Sequence, residues 1–241
     1  MATTRYAWPD ILRGVAVIGM ILFHAYYLSR NIFLLPSFLG EDFWWLLGPI
    51  VGSGFIAISW FSAALSHAKH SFDENLQKSW KRFFLLGFFA LSISIFTYSF
   101  FYSERISFWI LHFFSLVSLI SLVCIPFRSW NILWGILLLL LQIYFPDRVG
   151  DALYQIPLWW PPAAYYSADY YPLFPWFWVY LIGYGLFHVM REKDWLRYLH
   201  LPENSITRSL IFLGKYALVV YLIHVPILYG ILFLLSHTLG R

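Results

Sequence analysis

The stretch DILRGVAVIGMILFHAYYL, residues 10–28, is long and apolar enough for a membrane-crossing helix, yet it contains Asp10, Arg13 and His24. Crossing about 30 Å of hydrocarbon needs roughly 20 mostly apolar residues. The rest of the chain has the same character, with 61% hydrophobic, 22% aromatic and only 12% charged residues. The composition therefore predicts an integral membrane protein rather than a soluble domain.

Seven apolar runs predict an all-α, polytopic transmembrane helical bundle that forms a single domain over residues 1–241. The runs cover residues 10–28, 43–66, 80–102, 106–126, 129–145, 173–190 and 209–235. The last run leaves open a short interfacial segment at 210–215 before the true span. A signal peptide has a short apolar core and a small-residue cleavage site, whereas the first run is long and leads into Phe23, His24 and Tyr26, so we expect it to stay in the mature protein.

The basic residues predict the orientation of the bundle. With a cytoplasmic N-terminus, twelve Lys and Arg residues lie inside and four lie outside, namely Arg30, Arg105, Arg148 and Arg241. The positive-inside bias favours this arrangement, which puts the C-terminus on the periplasmic side after seven spans. The net charge of +4 thus needs no nucleic-acid partner, and the compact chain suits a bacterial inner membrane.

The polar residues of the first helix share one face. Arg13 and His24 are eleven residues apart, close to three helical turns and about 16 Å along the axis, and Asp10 falls on the same face. Ionisable groups inside a membrane span are costly and mark functional positions by default. For Arg13 and Asp10 an alternative stays open: an ion pair that fixes the helix start while the arginine reaches lipid phosphates.

Histidines recur at a similar depth in two further helices. His112 follows the outer start of the fourth run by about two turns, and His224 lies in the outer half of the last run. We expect His24, His112 and His224 to be catalytic. His67 and His70 are predicted to lie in a cytoplasmic loop, where their spacing allows metal ligation but no third ligand is near. No metal and no haem is therefore expected.

Four sequence blocks together resemble integral-membrane acyltransferases. DILRGVAVIGMILFH (10–24) is similar to the Arg, ten residues, His pattern of the family 3 acyltransferases and to the Asp-x-x-Arg-Gly start of heparan-α-glucosaminide N-acetyltransferase-like proteins. The blocks ISFWILHFFSL (106–116), FPWFWVYLIGYGL (174–186) and LGKYALVVYLIHVPIL (213–228) resemble bacterial members of the latter group. Gly183 and Gly185 in the third block are expected to permit close helix packing.

This resemblance implies transfer of an acyl group, most often acetyl, from cytoplasmic acyl-CoA to a sugar hydroxyl or amine across the membrane. The phosphates of the CoA are expected to bind a cationic set made of Arg13, Lys69, Lys78, Lys81 and Arg82. His24 would take the proton of the acceptor, while His112 or His224 would orient the acceptor or stabilise the oxyanion. An acyl-histidine intermediate stays open.

The acceptor is expected on the outer side, near the aromatic loop 146–172. Trp176 and Asp169 are our candidates for binding it, together with Asp10 on the first helix; an interfacial aromatic belt is the alternative for the tryptophan. The chain departs from the resembling group in two ways. It has fewer spans, and its first outer loop contains Glu41 and Asp42 but not the histidine that is proposed to be catalytic in the lysosomal enzymes.

Other functions also use polar groups within a membrane. A proton-coupled transporter or a lipid flippase would need such groups, although it would more often show an internal repeat, which is not obvious in this sequence. A membrane cytochrome would pair histidines on facing helices as haem ligands. Besides membrane lipid, acyl-CoA and a glycan, a second copy of the chain in a homodimer is left open as a partner.

Overall fold

The computed structural model describes residues 6–33, 40–102, 105–144, 158, 161–162, 165, 167, 169–198 and 204–238. These residues form eight α-helices: α1 (Trp8–Asn31), α2 (Glu41–Lys69), α3 (Phe72–Phe100), α4 (Ile110–Ile120), α5 (Asn131–Tyr144), α6 (Leu173–Glu192), α7 (Ser205–Lys215) and α8 (Ala217–Thr238). Short 3-10 segments at Ser121–Cys124, Arg128–Trp130 and Trp195–Tyr198 complete the helical order. A single-residue β-bridge joins Phe108 to Tyr170.

Every predicted apolar run overlaps a helix of the described residues, and the all-α class is confirmed. The last run is divided at Tyr216 into α7 and α8, so a separate short helix does precede the final one. By length and hydropathy, four helices of the described residues can cross a membrane: α1, α2, α3 and α8. Helices α4 and α5 have 11 and 14 residues, fewer than a full span needs. The count of seven spans and the orientation of the termini therefore stay predictions.

Local sequence signals explain where several helices begin. Pro9 lies in the first turn of α1, where its missing N–H costs no helical hydrogen bond. At the start of α3, the Ser71 hydroxyl accepts from the Glu74 N–H at 3.3 Å, and Glu74 Oε2 accepts from the Ser71 N–H at 2.8 Å. This capping box satisfies two backbone donors that the helix itself leaves unpaired.

The helices fall into two compact units, of which the first comprises Met1–Ile58 and Trp195–Arg241. Here α1 and α7 approach through glycines: a Cβ on Gly14 would overlap the Leu210 carbonyl oxygen, and one on Gly214 would overlap the Asp10 carbonyl oxygen. Such close backbone contact is how small residues bring helices together in membranes. The core beside it consists of Val17, Met20, Ala217 and the side chains packed on them.

The second unit, Ser59–Asp194, contains the end of α2 together with α3, α4, α5 and α6. The close packing expected at Gly183 and Gly185 is present, since a Cβ on Gly183 would overlap the Trp60 indole and one on Gly185 would lie 2.8 Å from the Ile132 nitrogen. Helices α3 and α4 are joined by Ser115, whose hydroxyl donates to the Phe83 carbonyl at 2.8 Å. These contacts fix the helices that carry the polar groups described next.

Candidate functional site

Arg13 and Asp10 form an ion pair that ties the first turn of α1 to the end of α7. Arg13 Nη1 lies 2.7 Å from Asp10 Oδ1 and makes a longer hydrogen bond, 3.5 Å, to the Gly214 carbonyl oxygen. Carbonyls in the last turn of a helix have no partner within that helix, and a cation there is favourable. The buried Asp10 and the partly exposed Arg13 are thus engaged within the fold, which favours the structural alternative for both.

His24 and His224 come together in the first unit. Their ring centroids are 4.8 Å apart and the rings are nearly perpendicular, at 79°. His24 Nδ1 lies 3.0 Å from the Met20 carbonyl oxygen, and His224 Nδ1 lies 2.7 Å from the Tyr221 carbonyl oxygen. Because a carbonyl only accepts, each Nδ1 carries the hydrogen.

The consequence for chemistry is that both neutral rings keep a lone pair on Nε2. His224 Nε2 is buried, and no group in the described ranges forms a hydrogen bond with it. An imidazole nitrogen with a free lone pair is suited to take a proton from an attacking hydroxyl or amine. The pair therefore has the tautomers that a general base requires.

A cavity of about 380 Å³ lies in the second unit, between the end of α2, the start of α3, α4 and α6. Three cations from one face of α3, at spacing i, i+3 and i+4, contribute to its wall: Lys78, Lys81 and Arg82. Its other described lining residues are Ser59, Ala63, Ser66, His67, Asn75, Ser79, Phe114, Val117, Ser118, Ser121 and Tyr180. This set contains no carboxylate, so the cavity is suited to an anion.

Buried hydrogen bonds fix the wall of the cavity. Asn75, which is 2% exposed, donates to the carbonyl oxygens of His67 and His70 at 3.4 and 3.1 Å and so caps the end of α2. His67 Nδ1 lies 2.9 Å from the phenolic oxygen of Tyr184 on α6. Tyr180 and Tyr184 are both buried within the unit. Hydrogen bonds therefore connect α2 to α3 and to α6 at the wall of the cavity.

The cavity separates the predicted cations into two groups. Lys78, Lys81 and Arg82 line it, as expected for a phosphate site. Lys69 is the exposed last residue of α2 and is not part of the lining. Arg13 belongs to the first unit and is engaged with Asp10. The cationic set that the structure brings together is thus smaller than the predicted one.

His112 belongs to the second unit and has the opposite tautomer to His24 and His224. The Trp109 N–H donates to His112 Nδ1 at 3.4 Å, so the neutral ring carries its hydrogen on Nε2. The Phe108 ring stacks on the imidazole with centroids 5.3 Å apart. His112 precedes Phe114, a cavity-lining residue, by two positions on α4. Its tautomer suits a hydrogen-bond donor rather than a base.

Described residues of the segment that precedes α6 form hydrogen bonds beside the start of α4. The Tyr171 N–H donates to the Phe108 carbonyl at 3.1 Å, and the Ser107 N–H donates to the Ser167 hydroxyl at 3.0 Å. Within this segment, burial raises the pKa of the Asp169 carboxyl to about 7. Trp176 packs against Tyr171 with ring centroids 5.1 Å apart. Trp159, Trp160 and Tyr166, which belong to the same aromatic run, lie outside the described residues.

The structure adds residues that the sequence reasoning missed. The prediction that His67 lies in a loop was wrong, because α2 continues to Lys69 and His67 is part of its last turns. The polar sequence SHAKHSF hid this extension of the helix. Tyr180 and Tyr184 were also missed, although their i, i+4 spacing places them on one face of α6. Among the described residues, no three His, Cys, Asp or Glu side chains gather as a metal site would require.

The chain matches a known protein family. The family model described as heparan-alpha-glucosaminide N-acetyltransferase, catalytic, matches residues 5–226. The match covers the four sequence blocks, apart from the last two residues of the fourth. It also includes both His24 and His224. No curated protein and no solved structure matches the chain.

Proposed function

Because the chain belongs to the heparan-alpha-glucosaminide N-acetyltransferase catalytic family, we propose that it transfers an acetyl group from acyl-CoA to a sugar hydroxyl or amine on the extracytoplasmic side. Membership of this family indicates a membrane acetyltransferase in general. The donor, the acceptor and the direction of transfer are the parts that we infer for this chain. A cytoplasmic N-terminus, seven spans and an inner-membrane location belong to the same proposal.

The observation that carries the donor assignment is the cationic cavity. An acyl-CoA is a polyanion, and the lining offers Lys78, Lys81 and Arg82 without a carboxylate to oppose it. Charge-assisted hydrogen bonds to phosphate are about twice as strong as neutral ones. The cavity is smaller than a whole CoA and would hold one part of it. In the proposed orientation, the start of α3 and its three cations face the cytoplasm, where acyl-CoA is found.

The acceptor side is assigned to the other end of α4. There His112 offers an Nε2 hydrogen, and the loop offers Asp169 and the Tyr171–Trp176 aromatic surface. Aromatic faces and a carboxylate are suited to a polar ring with hydroxyl groups. The Nε2 hydrogen of His112 would stabilise the negative charge that develops on the thioester oxygen. These roles keep His112, Trp176 and Asp169 from the sequence prediction, whereas Asp10 is now assigned to the ion pair with Arg13.

His24 and His224 are the proposed proton acceptors. In the transfer step, the acceptor oxygen or nitrogen forms a bond to the acyl carbon and its proton passes to an imidazole Nε2. The carbon–sulfur bond breaks, and CoA leaves as a thiolate that is then protonated. The Nε2 lone pair that each neutral ring keeps, which follows from the carbonyl contacts of Nδ1, supports this role.

Isothermal titration of the detergent-purified full chain with acetyl-CoA tests the donor assignment. We expect saturable binding by the wild type and weaker binding by Lys81→Gln. Lys69→Gln is the matched control, because Lys69 is an exposed lysine near the same helix ends that does not line the cavity. Absence of binding by folded wild type, or equal losses in the two variants, would count against the proposal.

A further inference from the structure

The geometry points to His67 as a phosphate-binding residue of the donor cavity, with Tyr184 as the residue that positions it. The identity of the ligand rests on the proposed function. The role of His67 itself rests on its place in the cavity wall and on its hydrogen bond to Tyr184. Neither residue was assigned a role from the sequence.

The hydrogen bond between the two side chains has a defined direction. Tyr184 is 0% exposed, and within the described part of the chain its phenol has His67 Nδ1 as its hydrogen-bond partner, at 2.9 Å. A buried hydroxyl hydrogen that has no acceptor is costly, so the phenol donates and Nδ1 accepts. The neutral imidazole then carries its hydrogen on Nε2.

This tautomer makes His67 a donor to the cavity. His67 lines the cavity and its Nδ1 is bonded to Tyr184, so Nε2 is the ring nitrogen that we assign to the ligand. If the ring gains a proton, both nitrogens carry hydrogen, so Nε2 is a donor in either form. A neutral donor beside Lys78, Lys81 and Arg82 matches the oxygens of a phosphate group.

The surroundings hold His67 at both its backbone and its ring. Asn75 Nδ2 donates to the His67 carbonyl oxygen at 3.4 Å, and the rings of His67 and Tyr184 are 5.7 Å apart. Tyr184 is in turn packed between Tyr180 and His188, at centroid distances of 6.3 and 5.3 Å. A ring that is oriented before the ligand arrives loses little freedom when it binds.

Replacing His67 by glutamine or by asparagine distinguishes the role of Nε2 from the role of Nδ1. The amide nitrogen of His67→Gln reaches the position of Nε2, whereas that of His67→Asn reaches only the position of Nδ1. We expect His67→Asn to raise the Kd for acetyl-CoA about tenfold and His67→Gln to restore most of the affinity. Tyr184→Phe keeps the packing but releases the ring, so it should raise the KM for acetyl-CoA about threefold with kcat unchanged.

The experiment titrates the purified full chain and these variants with acetyl-CoA and, separately, with inorganic pyrophosphate. The expected result is that both probes lose affinity in His67→Asn and regain it in His67→Gln. Wild-type affinity in a folded His67→Asn variant would overturn the role of His67 and leave the proposed function standing. Pyrophosphate binding that depends on His67, without acetyl-CoA binding, would overturn the donor assignment alone. Binding of neither probe by folded wild type would overturn both.

Discussion

Removal of Arg13 should destabilise the protein more than removal of its partner does. Asp10 is almost completely buried and Arg13 about a quarter exposed, with side-chain exposures of 8% and 25%. Arg13→Ala leaves a buried carboxylate without its cation, which costs about 3 kcal/mol for a pair of this kind. Asp10→Ala leaves a guanidinium that reaches water and keeps its bond to the Gly214 carbonyl, so we expect about 1 kcal/mol.

Thermal unfolding in detergent, followed by tryptophan fluorescence, measures this asymmetry. For a chain of this size, about 3 kcal/mol corresponds to a fall of roughly 6–12 °C in the Tm. The double variant should lose less than the sum of the single losses, because the two side chains interact directly. Lys193→Ala, which removes an exposed lysine beyond α6, is the control and should leave the Tm within about 1 °C.

The same variants distinguish the structural role of Arg13 from the CoA-binding role that the sequence suggested. We expect a folded Arg13→Ala protein to bind acetyl-CoA with nearly wild-type affinity at a temperature well below its Tm. A variant with wild-type Tm that has lost acetyl-CoA affinity would refute the reasoning and restore Arg13 to the donor site.

Three further outcomes follow from the geometry. Gly214→Ala should lower stability by about 1–3 kcal/mol because its Cβ meets the backbone of α1, whereas Gly230→Ala, which meets nothing, should be neutral or stabilising in the same unfolding assay. His24→Gln or His224→Gln should lower kcat about 10²- to 10⁴-fold with the Kd for acetyl-CoA unchanged; a wild-type kcat in both would remove the pair from the mechanism. The pKa of Asp169 is raised to about 7, so the folded state holds a proton that the unfolded state has released. Stability should therefore fall as pH rises from about 4 to 7, and Asp169→Asn should flatten that part of the curve of Tm against pH.

The positions of the helices were predictable because a bilayer requires long apolar segments. The lengths of α4 and α5 were not, since these helices have only 11 and 14 residues. The break at Tyr216 was only partly predictable, since the sequence LGKYAL can continue a helix and the close approach of Gly214 to α1 is a tertiary contact. The end of α2 was missed because hydropathy falls at SHAKHSF, while the helix is completed by the buried Asn75 that caps it. Capping by a residue of the next helix leaves no signal in hydropathy.

In the candidate site, too, some features were predictable from the sequence pattern, whereas others depend on tertiary contacts. Histidine depth, read from the sequence, named His24 and His224, and the structure brings these two together. Their tautomers depend on backbone carbonyl contacts that no spacing reveals. The opposite tautomer of His112 depends instead on the Trp109 N–H that donates to its Nδ1. Lys78, Lys81 and Arg82 were predictable from positive charge at helical spacing, whereas the exclusion of Lys69 from the cavity wall depends on where α2 ends.

Acetyl transfer by the purified full chain in proteoliposomes tests the central claim most directly. Acetyl-CoA labelled in its acetyl group is supplied on one side, and glucosamine and a glucan oligosaccharide without amines are enclosed on the other. We expect label on an enclosed sugar and an equal amount of free CoA thiol outside, both abolished when His24 and His224 are replaced together by glutamine. Folded wild-type protein that binds acetyl-CoA yet releases no thiol and labels neither sugar would contradict this claim.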